Sequence, residues 1–268
     1  MKYLARIFLA FLLLALPVGI SAQQVNSQTV AKIREAAERG DARDQHNLGL
    51  CYYNGYGVQQ DFSQAVYWWQ KAAKQGVAQA QCGLGGCYYN GKGVQTDYAQ
   101  AVYWYKKAAE QGNAEAQNGL AYCYARGQGV KQDYSQAVDW WRKAAEQNVV
   151  NAQYNLGLCY ANGQGIQQDL SQAVYWYRKA AEQGLAHAQC GLGLSYYNGQ
   201  GIQQDFSQAV YWFRKAAEQG NAIAQNNLGT SYYNGWGVEK DVSTARYWWQ
   251  KAADQGNEIA KQNLETYH

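Results

Sequence analysis

The chain has 268 residues and a formal net charge of +3, and charged side chains make up only 16% of it. A charge so close to neutral argues against nucleic acid as the main partner, because phosphate binding needs a concentrated basic surface. The length exceeds the usual size of one globular core, which favours an architecture whose core grows lengthwise by repetition.

The first 22 residues have the layout of a secretory signal peptide. Lys2 and Arg6 precede an apolar stretch over residues 7–16, and small residues follow just before Gln23. The apolar stretch is too short to span a membrane, so we predict a cleaved signal peptide at 1–22 and not a retained anchor. No stable membrane insertion is expected after cleavage. The mature chain is therefore predicted to be periplasmic or secreted.

From residue 41 onward the sequence repeats itself with a constant period of 36 residues. Self-similarity at such a period is the signature of a solenoid. A capping helix is predicted at 23–40 and a half-repeat helix at 257–268. Between them we predict six repeats, at 41–76, 77–112, 113–148, 149–184, 185–220 and 221–256.

Each repeat is predicted to be an antiparallel pair of helices. In the second repeat Ala80, Leu84 and Cys87 follow helical spacing, and the glycines after them can take the positive φ angles of a turn. Asp97 then caps a second helix, with Gln100 three residues further on. The predicted fold class is all-α: a right-handed α-α superhelical solenoid of six helix-turn-helix repeats, with half-repeats at both ends.

An aromatic position recurs on every second helix. We predict that its tryptophan is the large apolar anchor of each repeat, and that a recurring Ala-Ala pair lets neighbouring helices approach closely. Adjacent members of the aromatic runs must point in different directions, so part of the aromatic surface is expected to be exposed. The predicted anchors are Trp68, Trp104, Trp140, Trp176, Trp212 and Trp248.

The segment from Ala152 to Gly184 resembles the Sel-one-like repeat, a tetratricopeptide-like helix pair. It contains A-x-x-x-L-G, G-x-G-[VI], the aspartate, the tryptophan and the K-A-A-x-x-G ending, and the resemblance extends over nearly all of residues 31–268. The proline common after G-x-G-V is absent, as at Gln59. The resemblance implies an α-solenoid that acts as a scaffold or adaptor and binds protein or peptide segments along a concave face. It also implies a role in envelope processes or host interaction.

Comparison of the repeats with one another locates a candidate binding face. Four positions of the first helix, spaced i, i+3, i+4 and i+7, vary between repeats and form one stripe. This stripe either lines the concave groove and presents different side chains to a partner, or consists of exposed residues that simply drift. The predicted partner-binding residues are Arg43, His46, Asn47, Gln79, Cys82, Glu115, Asn118, Tyr122, Asn151, Tyr154, Asn155, His187, Cys190, Asn226 and Asn227.

The six cysteines fall into two groups. Cys82 and Cys190 lie on the variable stripe, where we expect readily alkylated thiols. The other four share a position at which later repeats have serine, which favours buried thiols, and parallel helices hold these equivalents too far apart for disulfides. Bridges between Cys51 and Cys82 and between Cys159 and Cys190 are the alternative. The four equivalent residues are Cys51, Cys87, Cys123 and Cys159.

The sequence contains no complete catalytic motif. His187 and Cys190 could share a metal ion, but two ligands do not make a site. The serine enzymes need S-x-x-K, whereas Gln-Ala-Val follows Ser63, Ser135, Ser171 and Ser207. We therefore predict a non-enzymatic monomer without cofactor or metal, which binds an envelope enzyme or a host surface component. The alternative is a peptidoglycan-directed enzyme, β-lactamase-like or penicillin-binding, or a glycan-binding protein that uses the exposed aromatic side chains.

Overall fold

A computed structural model describes residues 26–267, and the predicted signal peptide at 1–22 lies outside the described residues. Over the described range all regular elements are helices, which confirms the predicted all-α repeat solenoid. The helices are α1 (Ser27–Glu38), α2 (Ala42–Asn54), α3 (Phe62–Lys74), α4 (Ala78–Asn90), α5 (Tyr98–Glu110), α6 (Ala114–Arg126), α7 (Tyr134–Glu146), α8 (Val150–Asn162), α9 (Leu170–Glu182), α10 (Ala186–Asn198), α11 (Phe206–Glu218), α12 (Ala222–Asn234), α13 (Val242–Asp254) and α14 (Glu258–Thr266).

The chain forms two compact units that divide between Asp133 and Tyr134. Unit 1 contains helices α1 to α6, and unit 2 contains helices α7 to α14. The division falls inside the third repeat, between its first helix, α6, and its second helix, α7.

Local signals in the sequence set where the helices begin and end. The side chain of Asp97 accepts a hydrogen bond from the backbone N–H of Gln100 at 3.0 Å, which satisfies a donor that the start of α5 leaves unpaired. Helix α4 ends at Gly91, whose φ of 68° lies in the left-handed region. After the second helix α7, Asn148 has a φ of 65°, at the position where the other repeats have glycines such as Gly112.

The fully buried aromatic anchor is the residue after the predicted tryptophan. The side chains of Trp69 and Phe213 are 0% exposed, and the indole Nε1 of Trp69 donates to the backbone carbonyl of His46 at 3.1 Å. The predicted position is thus buried in three repeats and only partly buried in the other three, and the residue after it is the more deeply buried of the two in every repeat. One step along a helix rotates a side chain by about 100°, which turns the following residue towards the first helices. Of the predicted anchors, Trp68, Trp176 and Trp212 are buried, whereas Trp104, Trp140 and Trp248 are only partly buried.

A buried glutamine in each first helix forms hydrogen bonds to neighbouring helices, and no local pattern in the sequence predicts these bonds. The side-chain amide of Gln189 on α10 donates to the carbonyl of Ala181 on α9 at 3.2 Å. Its oxygen accepts a hydrogen bond from the side chain of Gln219, after α11, at 2.8 Å. One amide thus satisfies groups on both neighbouring second helices, and Gln81 makes the equivalent bonds in unit 1.

Candidate partner-binding face

Within each unit the first helices of successive repeats lie next to one another. Helix α4 packs against α2 and α6 in unit 1, and α10 packs against α12 in unit 2. The ring centroids of Tyr154 on α8 and His187 on α10 are 6.1 Å apart, and Asn263 on α14 donates to Asn226 on α12 at 3.1 Å. The stripe positions therefore form a continuous first-helix face in each unit.

Most of the predicted stripe is not accessible on this face. Arg43, Gln79 and Glu115 are exposed, and Tyr154, His187 and Asn227 are partly exposed. The expectation that the stripe is exposed is wrong for the other nine residues, which are buried: His46, Asn47, Cys82, Asn118, Tyr122, Asn151, Asn155, Cys190 and Asn226.

The aromatic anchors explain this burial. The ring of His46 stacks on Trp69 with centroids 6.4 Å apart. A Cβ atom placed on Gly83 would lie 2.9 Å from the same indole, and one on Gly119 would lie 2.8 Å from the ring of Tyr105. Gly83 and Gly119 are therefore required by packing, and not by the approach of a ligand.

Burial also determines the titration of the groups on the stripe. It lowers the pKa of His46 from 6.5 to about 4, and the Nδ1 atom of His46 has no hydrogen-bond partner. Burial raises the pKa of Cys82 to about 12, with a further contribution from the nearby carboxylate of Glu115, and raises that of Cys190 to about 12. These side chains are held in their neutral forms near pH 7.

All six cysteines are free and buried. The prediction of buried thiols is confirmed for Cys51 and its three equivalents. The prediction that Cys82 and Cys190 are readily alkylated is contradicted, because both side chains are shielded and both pKa values are raised. Neither of the two alternative disulfides is formed.

The accessible part of the first-helix face differs between the two units. In unit 1 it carries charged side chains, including Arg43 and Glu115. In unit 2, helices α8, α10 and α12 contain no Asp, Glu, Lys or Arg. Ile223 on α12 is 44% exposed and Ile259 on α14 is 60% exposed. The face formed by α8, α10 and α12 is therefore uncharged and partly apolar, whereas α14 carries Glu258, Lys261 and Glu265.

The second helices expose a different set of aromatic side chains. Tyr211 on α11 is 47% exposed, and the ammonium group of Lys215 lies 4.7 Å from the centroid of its ring. This confirms the expected aromatic exposure and adds a cation four residues further on, which helical spacing places over the ring. The same pairing occurs at Tyr67, Tyr103, Tyr175 and Tyr247.

Two further observations bear on the sequence predictions. Between residues 26 and 267, no helix is long and apolar enough to cross a membrane. Over the same part of the chain, no group of three or more His, Cys, Asp or Glu side chains is arranged to hold a metal ion. His187 and Cys190 thus have no third ligand beside them in this range.

The repeated helix pairs define the chain as an α-solenoid of the tetratricopeptide-like class. The Sel1-repeat family model matches six consecutive segments, each of which begins one residue after the repeat drawn from the sequence, and the chain belongs to this family. Sel1-repeat proteins are generally scaffolds for protein–protein interaction. The matched segments are 42–77, 78–113, 114–149, 150–185, 186–221 and 222–257.

Two solved structures illustrate the relationship. A protective antigen present in uropathogenic Escherichia coli strains, which displays an SLR fold, is 41% identical with a TM-score of 0.84. The match covers 89% of this chain and 51% of that one, so the present chain spans about half of that protein. A Sel1 repeat protein from Oxalobacter formigenes is 34% identical with a TM-score of 0.76, over 86% of this chain and 92% of that one. No curated protein matches the chain.

Proposed function

We propose that this protein is an exported scaffold that binds a protein or peptide partner through its first-helix face. The observation that carries the proposal is the accessible surface of unit 2, where two isoleucines one repeat apart, Ile223 and Ile259, are exposed on neighbouring first helices. Exposed apolar side chains grouped on one face are typical of protein interaction sites. Tyr154 on α8 and Asn227 on α12 are accessible stripe residues of the same face.

The titratable groups favour binding over catalysis. A nucleophilic cysteine needs a lowered pKa, whereas burial raises the pKa of Cys159 and of Cys190 to about 12. Burial lowers the pKa of His187, and the ring of His46 is enclosed. We therefore propose a protein that does not catalyse a reaction. Repurified protein is expected to leave muropeptides and β-lactams unchanged, and turnover that survives repurification would contradict this proposal.

Export is proposed from the signal-peptide layout of residues 1–22. We expect the mature chain to begin at Gln23 and to occur in the periplasmic or the culture fraction. Cell fractionation followed by N-terminal sequencing checks this. An uncleaved chain in the cytoplasmic fraction would show that the segment is not an export signal. The proposed partner, an envelope enzyme or a host surface component, is accessible only to an exported protein.

Site-specific photo-cross-linking tests the face used for binding. A photoreactive residue is placed either at Ile223 on first helix α12 or at Tyr211 on second helix α11, two positions of similar exposure. The protein is then irradiated in cells that make it, or in contact with host cells. We expect an adduct with a defined protein from position 223 and none from position 211. An adduct from position 211 alone, or equal adducts from both positions, would refute the proposed binding face.

A further inference from the structure

The accessible face of unit 2 contains a glycine that packing does not require. Gly191 lies in the interior of α10, where it is partly exposed and has no positive φ. A Cβ atom added there would lie 3.5 Å from the nearest atoms, which belong to the ring of Tyr177, and this is ordinary van der Waals contact. By contrast, a Cβ atom at the equivalent Gly83 or Gly119 would lie less than 3.0 Å from an aromatic ring.

Glycine inside a helix is destabilising relative to alanine, so its presence at 191 needs another explanation. Its consequence is that the backbone of α10 is partly exposed here and not covered by a side chain of its own. His187 lies one turn before it and Leu194 one turn after it, and both are partly exposed. We call the surface formed by Gly191, His187 and Leu194 the α10 shelf.

Residues of the neighbouring first helices border the shelf on both sides. On α8, the ring of Tyr154 approaches His187 with centroids 6.1 Å apart. On α12, which packs against α10, Ile223 occupies the position that His187 has on α10. Ile223 is 44% exposed, so an apolar side chain projects beside the shelf.

The chemistry of this surface restricts what can bind it. Because helices α8, α10 and α12 carry no charged side chain, a charged segment docked here would lose water without gaining an ionic partner. An apolar segment would instead cover Ile223 and Leu194, removing their apolar surface from water. Because Gly191 is partly exposed and has no side chain, the partner's main chain can approach the backbone of the helix there.

We propose that the α10 shelf binds an uncharged, apolar peptide segment whose main chain passes over Gly191. The apolar side chains of the segment contact Leu194 and Ile223, and Tyr154 borders the shelf on the side of α8. This inference rests on the proposed function and adds the chemical class of the partner segment and its position on the chain.

Immobilised peptides of defined composition test the inference. The probes are three sets of twelve-residue peptides that share flanking sequences and differ in a central segment, which is apolar and uncharged, acidic or basic. The full mature chain from Gln23 is applied to the array, and retained peptides are titrated by fluorescence anisotropy. We expect retention of apolar peptides, and a preference for either charged set would overturn the inference.

Four variants locate the binding. Gly191→Leu fills the shelf, and Ile223→Glu places a charge beside it, so each is expected to raise the Kd of apolar peptides by at least about tenfold. Gly191→Ala adds only a methyl group, and Tyr211→Glu places the same charge at a similarly exposed position of a second helix. These two controls are expected to change the Kd by less than about threefold. Circular dichroism melting verifies that all four variants are folded.

The remaining outcomes separate this inference from the proposed function. If apolar peptides bind but respond to Arg43→Ala on unit 1 and not to Gly191→Leu, the shelf is refuted and first-helix binding stands. If only Tyr211→Glu abolishes binding, both the α10 shelf and binding through the first-helix face are refuted. If the folded protein retains no peptide of any set, the inference fails, while cross-linking from Ile223 still decides the proposed function.

Discussion

Replacing Trp69 by alanine tests whether the residue after the predicted tryptophan is the true anchor of its repeat. The Trp69 side chain is 0% exposed and packs between Gly49 of α2 and Gly83 of α4. An aromatic side chain buries about 150–250 Å², which at about 25 cal/mol per Å² corresponds to about 4–6 kcal/mol. That figure is an upper limit because unfolded chains already bury part of this surface. Large-to-small substitutions of this kind cost about 3–5 kcal/mol, which is the loss we expect.

Two variants serve as controls in the same repeat. Trp69→Phe keeps a ring in place but loses the hydrogen bond from Nε1 to the carbonyl of His46, so it is expected to cost about 1–2 kcal/mol. Tyr67→Ala removes an aromatic side chain that is 46% exposed and is expected to cost less than about 1 kcal/mol. Urea unfolding gives the free energies, and hydrogen exchange places the loss in α2 to α4. Equal losses for Trp69→Ala and Tyr67→Ala would refute the assignment of the anchor.

Buried histidine, glutamine and cysteine side chains can each be tested in solution. Burial lowers the pKa of His46 from 6.5 to about 4, so the unfolded chain takes up a proton more readily than the folded one. The free energy of unfolding is therefore expected to be highest above pH 6.5 and to fall by about 3 kcal/mol as the pH drops towards 4. Urea titrations of His46→Asn are expected to lack this dependence on pH. Gln189→Ala leaves buried partners unsatisfied and is expected to cost about 1–3 kcal/mol, and a double-mutant cycle with Gln219→Ala is expected to give a coupling of about 0.5–1.5 kcal/mol. Cys82 and Cys190 are expected to resist alkylation in the native protein and to react in urea, as mass spectrometry would show; labelling of native protein would contradict their burial.

Helix positions could be predicted from the sequence because their signals are local. An aspartate such as Asp97 satisfies backbone donors within three residues of itself, and a glycine such as Gly91 permits a left-handed turn at its own position. Since each repeat carries the same signals at the same places, the number and order of the helices followed from the repeat alone.

Exposure on the stripe could not be predicted in the same way, because it depends on which side chain of a neighbouring helix faces each position. Gly83 lies against Trp69 and Gly119 against Tyr105, so the glycine at these two positions reflects packing, whereas the equivalent Gly191 and Asn227 are partly exposed. The hydrogen bonds between Gln189 and Gln219 join residues 30 apart on different helices, and no local pattern indicates their partner. Gly191 looks like the other stripe glycines in sequence, and only the distance to Tyr177 distinguishes it.

Hydrogen exchange of the protein bound to its cross-linked or purified partner tests the central claim most directly. We predict increased protection on binding in first helices α10 (Ala186–Asn198) and α12 (Ala222–Asn234), with no change in the second helix between them, α11 (Phe206–Glu218). Protection confined to α11 and the other second helices, with α10 and α12 unchanged, would contradict the account.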